Sequence, residues 1–277
     1  MPATARHLLV AAVFSAALPC TALAQRPITP DAEWLDNCRN NNGWGDDRGR
    51  ACEIRDVPVR LSGRALEIDG RQNGSIRVQA WDGDAVKVTA RLQANAQSDA
   101  AAQALLKDIR INSDGRRITA DGPDGDRGYR TNWSASYVVM VPRRFDLTLD
   151  ANNGSLGVDG VTGKLDLRTT NGSLALSDVG GDVHARTQNG SLNVQLGGKS
   201  WEGEGLDAET QNGSVRLMVP EAYAATLETG TVNGHINTDF PVTVQGRITR
   251  QLNLPLNGGG RTIRATTTNG SVRISRR

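Results

Sequence analysis

From Leu147 to Ser200 the apolar and polar positions repeat with a period of eighteen, and three lines fall into register: LTLDANNGSLGVDGVTGK, LDLRTTNGSLALSDVGGD and VHARTQNGSLNVQLGGKS. Counting from the Asn of each Asn-Gly, apolar residues stand six and four places before it (Leu147/Leu149, Leu165/Leu167, Val183/Ala185). They stand again three and five places after it (Leu156/Val158, Leu174/Leu176, Leu192/Val194). Alternation of this kind predicts two short strands per block, joined at a corner.

The corner recurs at Asn73, Asn153, Asn171, Asn189, Asn212, Asn233 and Asn269, with spacings of 18, 18, 23, 21 and 36 from Asn153 onward. The last spacing reads as two blocks with an unmarked corner near Gln251. Asn and Gly tolerate positive φ, so the repeated dipeptide is expected to set a repeated bend. A Thr stands two places before the Asn at Thr169, Thr187, Thr210, Thr231 and Thr267, where a small β-branched hydroxyl suits a narrow interior edge and a bond to the neighbouring level.

Two all-β architectures satisfy the pattern. In a parallel β-solenoid, taken as right-handed, each block is one coil and equivalent residues stack about 4.8 Å apart around an enclosed core. In an antiparallel β-meander, Asn-Gly is a hairpin turn and Leu167 faces Leu176. The solenoid is preferred, because a long meander leaves an apolar face that nothing in the chain is rich enough to cover.

Upstream, EIRDVPVRL, LEIDGRQNGSIRVQAW and DAVKVTARLQA read as strands. SDAAAQALLKDIRI reads as one amphipathic helix with Ser98 as N-cap and Ala102, Leu105, Leu106 and Ile109 on one face, expected to cover an open side or end of the β-structure. Residues 1–24 carry a basic start, an apolar run and Ala22-Leu23-Ala24 before Gln25, the pattern of a secretory signal peptide. The remaining divisions are residues 25–52, a disulfide-stapled segment, and 53–277, the repeat domain. Cys38 and Cys52 form an even pair suited to an oxidising compartment, and a structural bridge is expected rather than a redox or metal site.

The net charge is +2, and removal of the leader takes away Arg6 and no acid, leaving about +1. That balance argues against nucleic acid and anionic membranes as partners, and no later stretch is apolar and long enough to cross a bilayer as a helix. The chemical inventory is short. No nucleophile elbow, phosphate loop, dinucleotide fingerprint or His-rich motif is present, and of three histidines only His184 and His235 outlast the leader, so no catalytic residue, cofactor or metal is assigned.

Candidate binding residues come from the register. Five places before successive Asn residues stand Asp166, His184, Asp207 and Glu228, with Arg168, Arg186 and Glu209 two places after the first three, and in stacked coils these make an outward ladder about 5 Å per step. Such a ladder could hold a divalent cation or work as an acid–base pair on a polysaccharide; a face of mutually compensating charges is the bland alternative. Trp201, in the longer segment GGKSWEGEG, is expected to bulge outward on one flank. Aromatic residues make up only 4% of the chain, which draws notice to Tyr129 and Trp133 beside Asp121, Asp124 and Asp126, and to Trp44. Each is read first as a sealed loop or an exposed turn.

The runs CEIRDVPV, ADGP, VPRRFDL, TNGSLALSDVGGDV, GLDAETQNGSV, VPEAYAATLETGTVNG, DFPVTVQG and TTTNGSVRI together resemble a bacterial family of exported adhesin candidates with a β-strand repeat, a family without an assigned biochemical role. The resemblance runs from about Cys52 to the end, with Asn-Gly-Ser where many relatives have Asn-Gly-Gly. It implies an extracytoplasmic β-solenoid and carries over no catalytic residue. A non-enzymatic periplasmic or cell-surface scaffold is therefore expected, presenting its repeats to a cell-envelope glycan or protein and open to self-association through its coil edges. A polysaccharide-active enzyme using flank carboxylates is the competing reading.

Overall fold

The computed structural model describes residues 28–40, 49–123, 131–240 and 250–277. The leader, Trp44, Asp124, Asp126 and Tyr129 lie outside these residues. Among the described residues two helices, α1 (Asp31–Asn40) and α2 (Asp99–Asp108), accompany twenty strands. These are β1 (Gly49–Val57), β2 (Ala65–Asp69), β3 (Ile76–Trp81), β4 (Lys87–Ala96), β5 (Arg110–Ser113), β6 (Arg117–Asp121), β7 (Asn132–Pro142), β8 (Asp146–Ala151), β9 (Leu156–Asp159) and β10 (Thr162–Thr169). There follow β11 (Leu174–Ser177), β12 (Gly180–Asn189), β13 (Leu192–Gln195), β14 (Gly205–Asn212), β15 (Val215–Val219), β16 (Ala225–Asn233), β17 (Ile236–Thr238), β18 (Gln251–Leu256), β19 (Thr262–Asn269) and β20 (Val272–Arg276).

The strands form two ten-stranded sheets, ordered β1-β4-β7-β3-β9-β11-β13-β15-β20-β17 and β18-β16-β19-β14-β12-β10-β8-β2-β6-β5. From β8 to β15 the chain crosses from one sheet to the other at every strand, and neighbours within a sheet run parallel. Leu165 pairs with Leu147 and Val183, and Leu174 with Leu156 and Leu192. Leu167 and Leu176 thus lie in different sheets, which is the pairing of stacked coils and not of a meander. All twelve apolar residues named from the three lines are at most 2% exposed and join one core shared by both sheets.

The ends depart from a simple stack. Both sheets are mixed: β4 runs antiparallel to β1 and β7, β5 to β6, and β16 to β18. The stretch near Gln251 is no corner but the start of β18, an edge strand at the border of its sheet. The order of levels also breaks at both ends. The coil β19–β20 sits between β14–β15 and β16–β17, and β2–β3 sits between β8–β9 and β6–β7. A spacing of 36 therefore marks a chain that leaves a level open and returns to fill it.

Helix α2 forms where its pattern predicts but stops at Asp108: Ile109 is buried in extended backbone as its C-cap, and Arg110 and Ile111 open β5. The Ser98 side chain accepts from the Ala101 N–H, and Ala102, Leu105 and Leu106 are buried. It packs on β1 and β4, the end of the first sheet, and Arg55 of β1 donates to the carbonyl oxygens of Leu106 and Ile109 at its C-terminus. Helix α1 was not foreseen in the polar N-terminal segment. It carries Asp31 and Glu33 in its first turn and Arg39 in its last, matching the helix dipole. Buried Arg91 holds it, through Asp31, the Thr29 carbonyl and the Trp34 ring, and a disulfide ties Cys38 to Cys52 on β1.

The Asn-Gly corners stack into one column. Asn153 donates its side-chain amide to Asn73, Asn171 to Asn153, Asn189 to Asn171, Asn212 to Asn189, Asn269 to Asn212 and Asn233 to Asn269, at 2.7 to 3.2 Å. Beside it Thr169, Thr187, Thr210, Thr267 and Thr231 donate to the carbonyls of Gly154, Gly172, Gly190, Gly213 and Gly270 on the adjoining level. The reason for glycine differs from the expected one. No corner asparagine has a positive φ, and of the corner glycines only Gly270 does, at 159°. Instead a Cβ on Gly154, Gly172, Gly190, Gly213, Gly270 or Gly234 would lie between 1.9 and 2.1 Å from the carbonyl oxygen of the glycine one level away. Close approach of backbones, not a left-handed turn, requires glycine here.

Candidate functional site

The outer face of the second sheet is set by the same alternation that fills the core. In β10 Leu165, Leu167 and Thr169 point inward, so Asp166 and Arg168 point out, and parallel pairing repeats this from level to level. The first outward column reads Glu67, Thr148, Asp166, His184, Asp207, Arg264, Glu228. The second reads Asp69, Asp150, Arg168, Arg186, Glu209, Thr266, Gly230.

Asp166, His184 and Asp207 thus occupy adjacent positions as expected, but Glu228 does not follow Asp207. Arg264 stands between them and donates to Asp207 at 3.1 Å, while Arg186 approaches the same carboxylate at 3.7 Å. Arg168 pairs with Asp166 at 2.8 Å, and the His184 imidazole turns sideways to Asp182 at 3.1 Å. The charges compensate one another across and along the strands. Among the described residues no group of three His, Cys, Asp or Glu side chains is placed to hold a metal ion. Arg264 stands five places before Asn269, the same offset as Asp166 before Asn171, so the register contained it; its place was hidden because the last coil stacks out of order.

Two concavities lie side by side on this face. One, about 370 Å³, is lined by Arg168, Arg186, Gln188, Glu209 and Gln211; the other, about 570 Å³, by Glu209, Glu228, Arg264, Thr266, Gln251 and Asn253. They share Glu209 and Thr268, and the antiparallel strand β18 forms a wall of the larger one. Burial pushes the Asp150 carboxyl above its ordinary range; Arg168 opposes the shift, and Asp166, Asp69 and Glu67 add to it.

The opposite corner holds a groove of about 970 Å³ lined by Arg143, Arg144, Lys199, Glu202, Asp178 and Arg277, among others. Trp201 does not bulge from it. Its side chain is buried, 6% exposed, with Nε1 donating to the Gly181 carbonyl at 3.0 Å, because the extra residues fold the indole back over the core. Burial and neighbouring Asp178 push Asp159 upward here, and burial with Glu202 pushes the Tyr223 hydroxyl up to about 12. Trp133 is half-buried against the core, with Nε1 donating to the Pro123 carbonyl.

No curated protein matches the chain. Among solved structures, a candidate cell adhesion protein from Clostridium sporogenes is 12% identical, aligning 82% of this chain with 100% of its own at a TM-score of 0.38. A candidate adhesin from Bacteroides fragilis is 13% identical over 82% of this chain and 97% of its own, at 0.37. A candidate lipid binding protein from Parabacteroides distasonis is 10% identical over 82% and 96%, at 0.29. The sequence from residue 143 to 275, which begins just before β8 and takes in every later strand, matches the Toastrack DUF4097 family. That match covers just under half of the chain, and the family it is similar to is a domain of unknown function.

Proposed function

We propose that the chain is an exported, non-enzymatic scaffold whose second sheet presents its outer face to a cell-envelope glycan or protein. Residues 53–277 act as one solenoid domain, and the coil is right-handed, the hand that parallel crossovers overwhelmingly adopt. The observation that carries the reading is the column Asp166, His184, Asp207, Arg264, Glu228, in which a guanidinium interrupts the carboxylates and charges of both signs face outward at regular steps. A face of that kind suits recognition of a repeating polar partner, because its ion pairs hold charges of both signs at fixed places. The Cys38–Cys52 bridge and the leader pattern support export.

The test is to incubate purified protein with acidic and neutral polysaccharides and with isolated envelope fractions, measuring both retention and bond cleavage. Retention that is lost in an Arg186→Glu, Arg264→Glu double variant, without turnover, supports the scaffold. Cleavage abolished by Asp166→Asn or Asp207→Asn overturns it in favour of a polysaccharide-active enzyme. Mass that grows with concentration in light scattering, with no retention of any envelope component, replaces the external partner with a second copy of the chain.

A further inference from the structure

Within the corner column Asn153, Asn171, Asn189, Asn212 and Asn269 each donate to one neighbour and accept from the other. A side-chain amide has two N–H donors and an oxygen with two lone pairs, so the column takes one of each and leaves one of each at every level. All five residues are exposed. The groups left over make an uncharged row that repeats about every 4.8 Å, and the column fixes their amides before a partner arrives, which lowers the ordering cost of binding.

The smaller concavity on the outer face of the second sheet, about 370 Å³, lies against this row. Gln188 and Gln211 line it, and each directly precedes a column asparagine, between the paired Thr187–Thr210 and Asn189–Asn212. Arg168, Arg186, Glu209 and Thr268 line it as well. Its volume is at the lower end of the roughly 300–1,000 Å³ of ligand sites, so it suits one small unit of a longer partner.

Charge decides the kind of unit. Arg168 is bonded to Asp166 at 2.8 Å, and Arg186 approaches Asp207 at 3.7 Å, a carboxylate that Arg264 also reaches at 3.1 Å. These three guanidiniums are matched by Asp166, Asp207 and Glu209, so the site favours neither an anion nor a cation. It offers guanidinium donors, a carboxylate acceptor and amides that do both, and a hydroxyl, itself donor and acceptor, can use all of them.

We infer that the concavity and the asparagine row together bind an uncharged linear polysaccharide, with one sugar unit among Arg168, Arg186, Gln188, Glu209 and Gln211 and its neighbours lying along the row. This rests on the reading of the chain as a scaffold facing a glycan and narrows it: hydroxyl groups are recognised, not acidic substituents.

The test is affinity electrophoresis through gels containing an uncharged polysaccharide (dextran, galactomannan or hydroxyethyl cellulose) or an acidic one (polygalacturonate or alginate), at low and at high salt. Retardation by at least one uncharged polymer, nearly independent of salt, is expected, since the ligand brings no charge to screen. The double variant Gln188→Ala, Gln211→Ala removes two amide partners and should weaken that retardation about tenfold. Lys164→Gln, at an exposed position of β10 outside the concavity, should leave it unchanged. Both variants are compared at a Tm matching the parent's. Binding to an acidic polymer or an envelope protein alone, loss of retardation in high salt, or a double variant that binds like the parent overturns this inference and leaves the scaffold reading standing. Binding to no polysaccharide and no envelope fraction overturns both.

Discussion

Thr187 donates its hydroxyl to the carbonyl oxygen of Gly172 at 2.7 Å, fifteen residues back in the chain and one level away in the stack. The hydroxyl is buried, and four other threonines make the same bond. Thr187→Val keeps the shape and leaves a buried carbonyl without this donor, so a loss of about 1–2 kcal/mol is expected in urea unfolding. An unchanged midpoint would mean that the carbonyl finds another donor without cost.

The glycine column is expected to be far less tolerant. In Gly190→Ala the new methyl would meet the Gly172 carbonyl oxygen at 2.0 Å, backbone against backbone, so levels must separate. A loss of about 3 kcal/mol or more should appear as a markedly lower Tm. Gly63→Ala is the control, since nothing lies within 4 Å of its added carbon and its φ is not positive; its Tm should be equal or slightly higher.

The bridge between Cys38 and Cys52 closes a loop with a sequence separation of 14. Replacing both cysteines with serine is expected to lower stability by about 3 kcal/mol by the chain-entropy argument. Hydrogen exchange should show the change concentrated in α1 and β1. Loss of protection spread evenly over both sheets would contradict that placement.

Asp150 gives a pH dependence with a definite sign. Its carboxyl is held above the ordinary range chiefly by burial, so the folded state binds its proton more tightly than the unfolded chain does. Its penalty is absent below the unfolded value of 3.8, grows as pH rises toward the folded value, and is fully present above it. Asp150→Asn should therefore stabilise the protein at neutral pH relative to the parent, with the gain vanishing in acid. A gain of the same size at both ends of a pH series of Tm values would refute the assignment.

The regular middle was legible because one periodicity governs both core and corner. Leu165, Leu167, Leu174 and Leu176 are inward because their offsets from Asn171 match those of every other block, and the seven asparagines proved to be one column. Offsets also predicted the outward position of Asp166, His184 and Asp207. What the period could not convey is the order of levels. Asn233 precedes Asn269 in sequence but lies beyond it in space, and that reversal put Arg264 where Glu228 was expected. Trp201 escaped for a different reason: an insertion rich in Gly reads as an exposed bulge, and only tertiary packing reveals that its single large residue turns back onto the core. Helix α1 is likewise a product of context, held by Arg91 and the disulfide more than by any apolar stripe.

The late arrival of β19–β20 makes the final coil a keystone. Until residues 262–276 have been made, the strand β16 lacks the parallel partner that it has in the fold on the side toward β14, while β18 is its neighbour on the other side. That end of the molecule therefore cannot complete its native pairing level by level in chain order, and closes only when β19–β20 enter between β14–β15 and β16–β17.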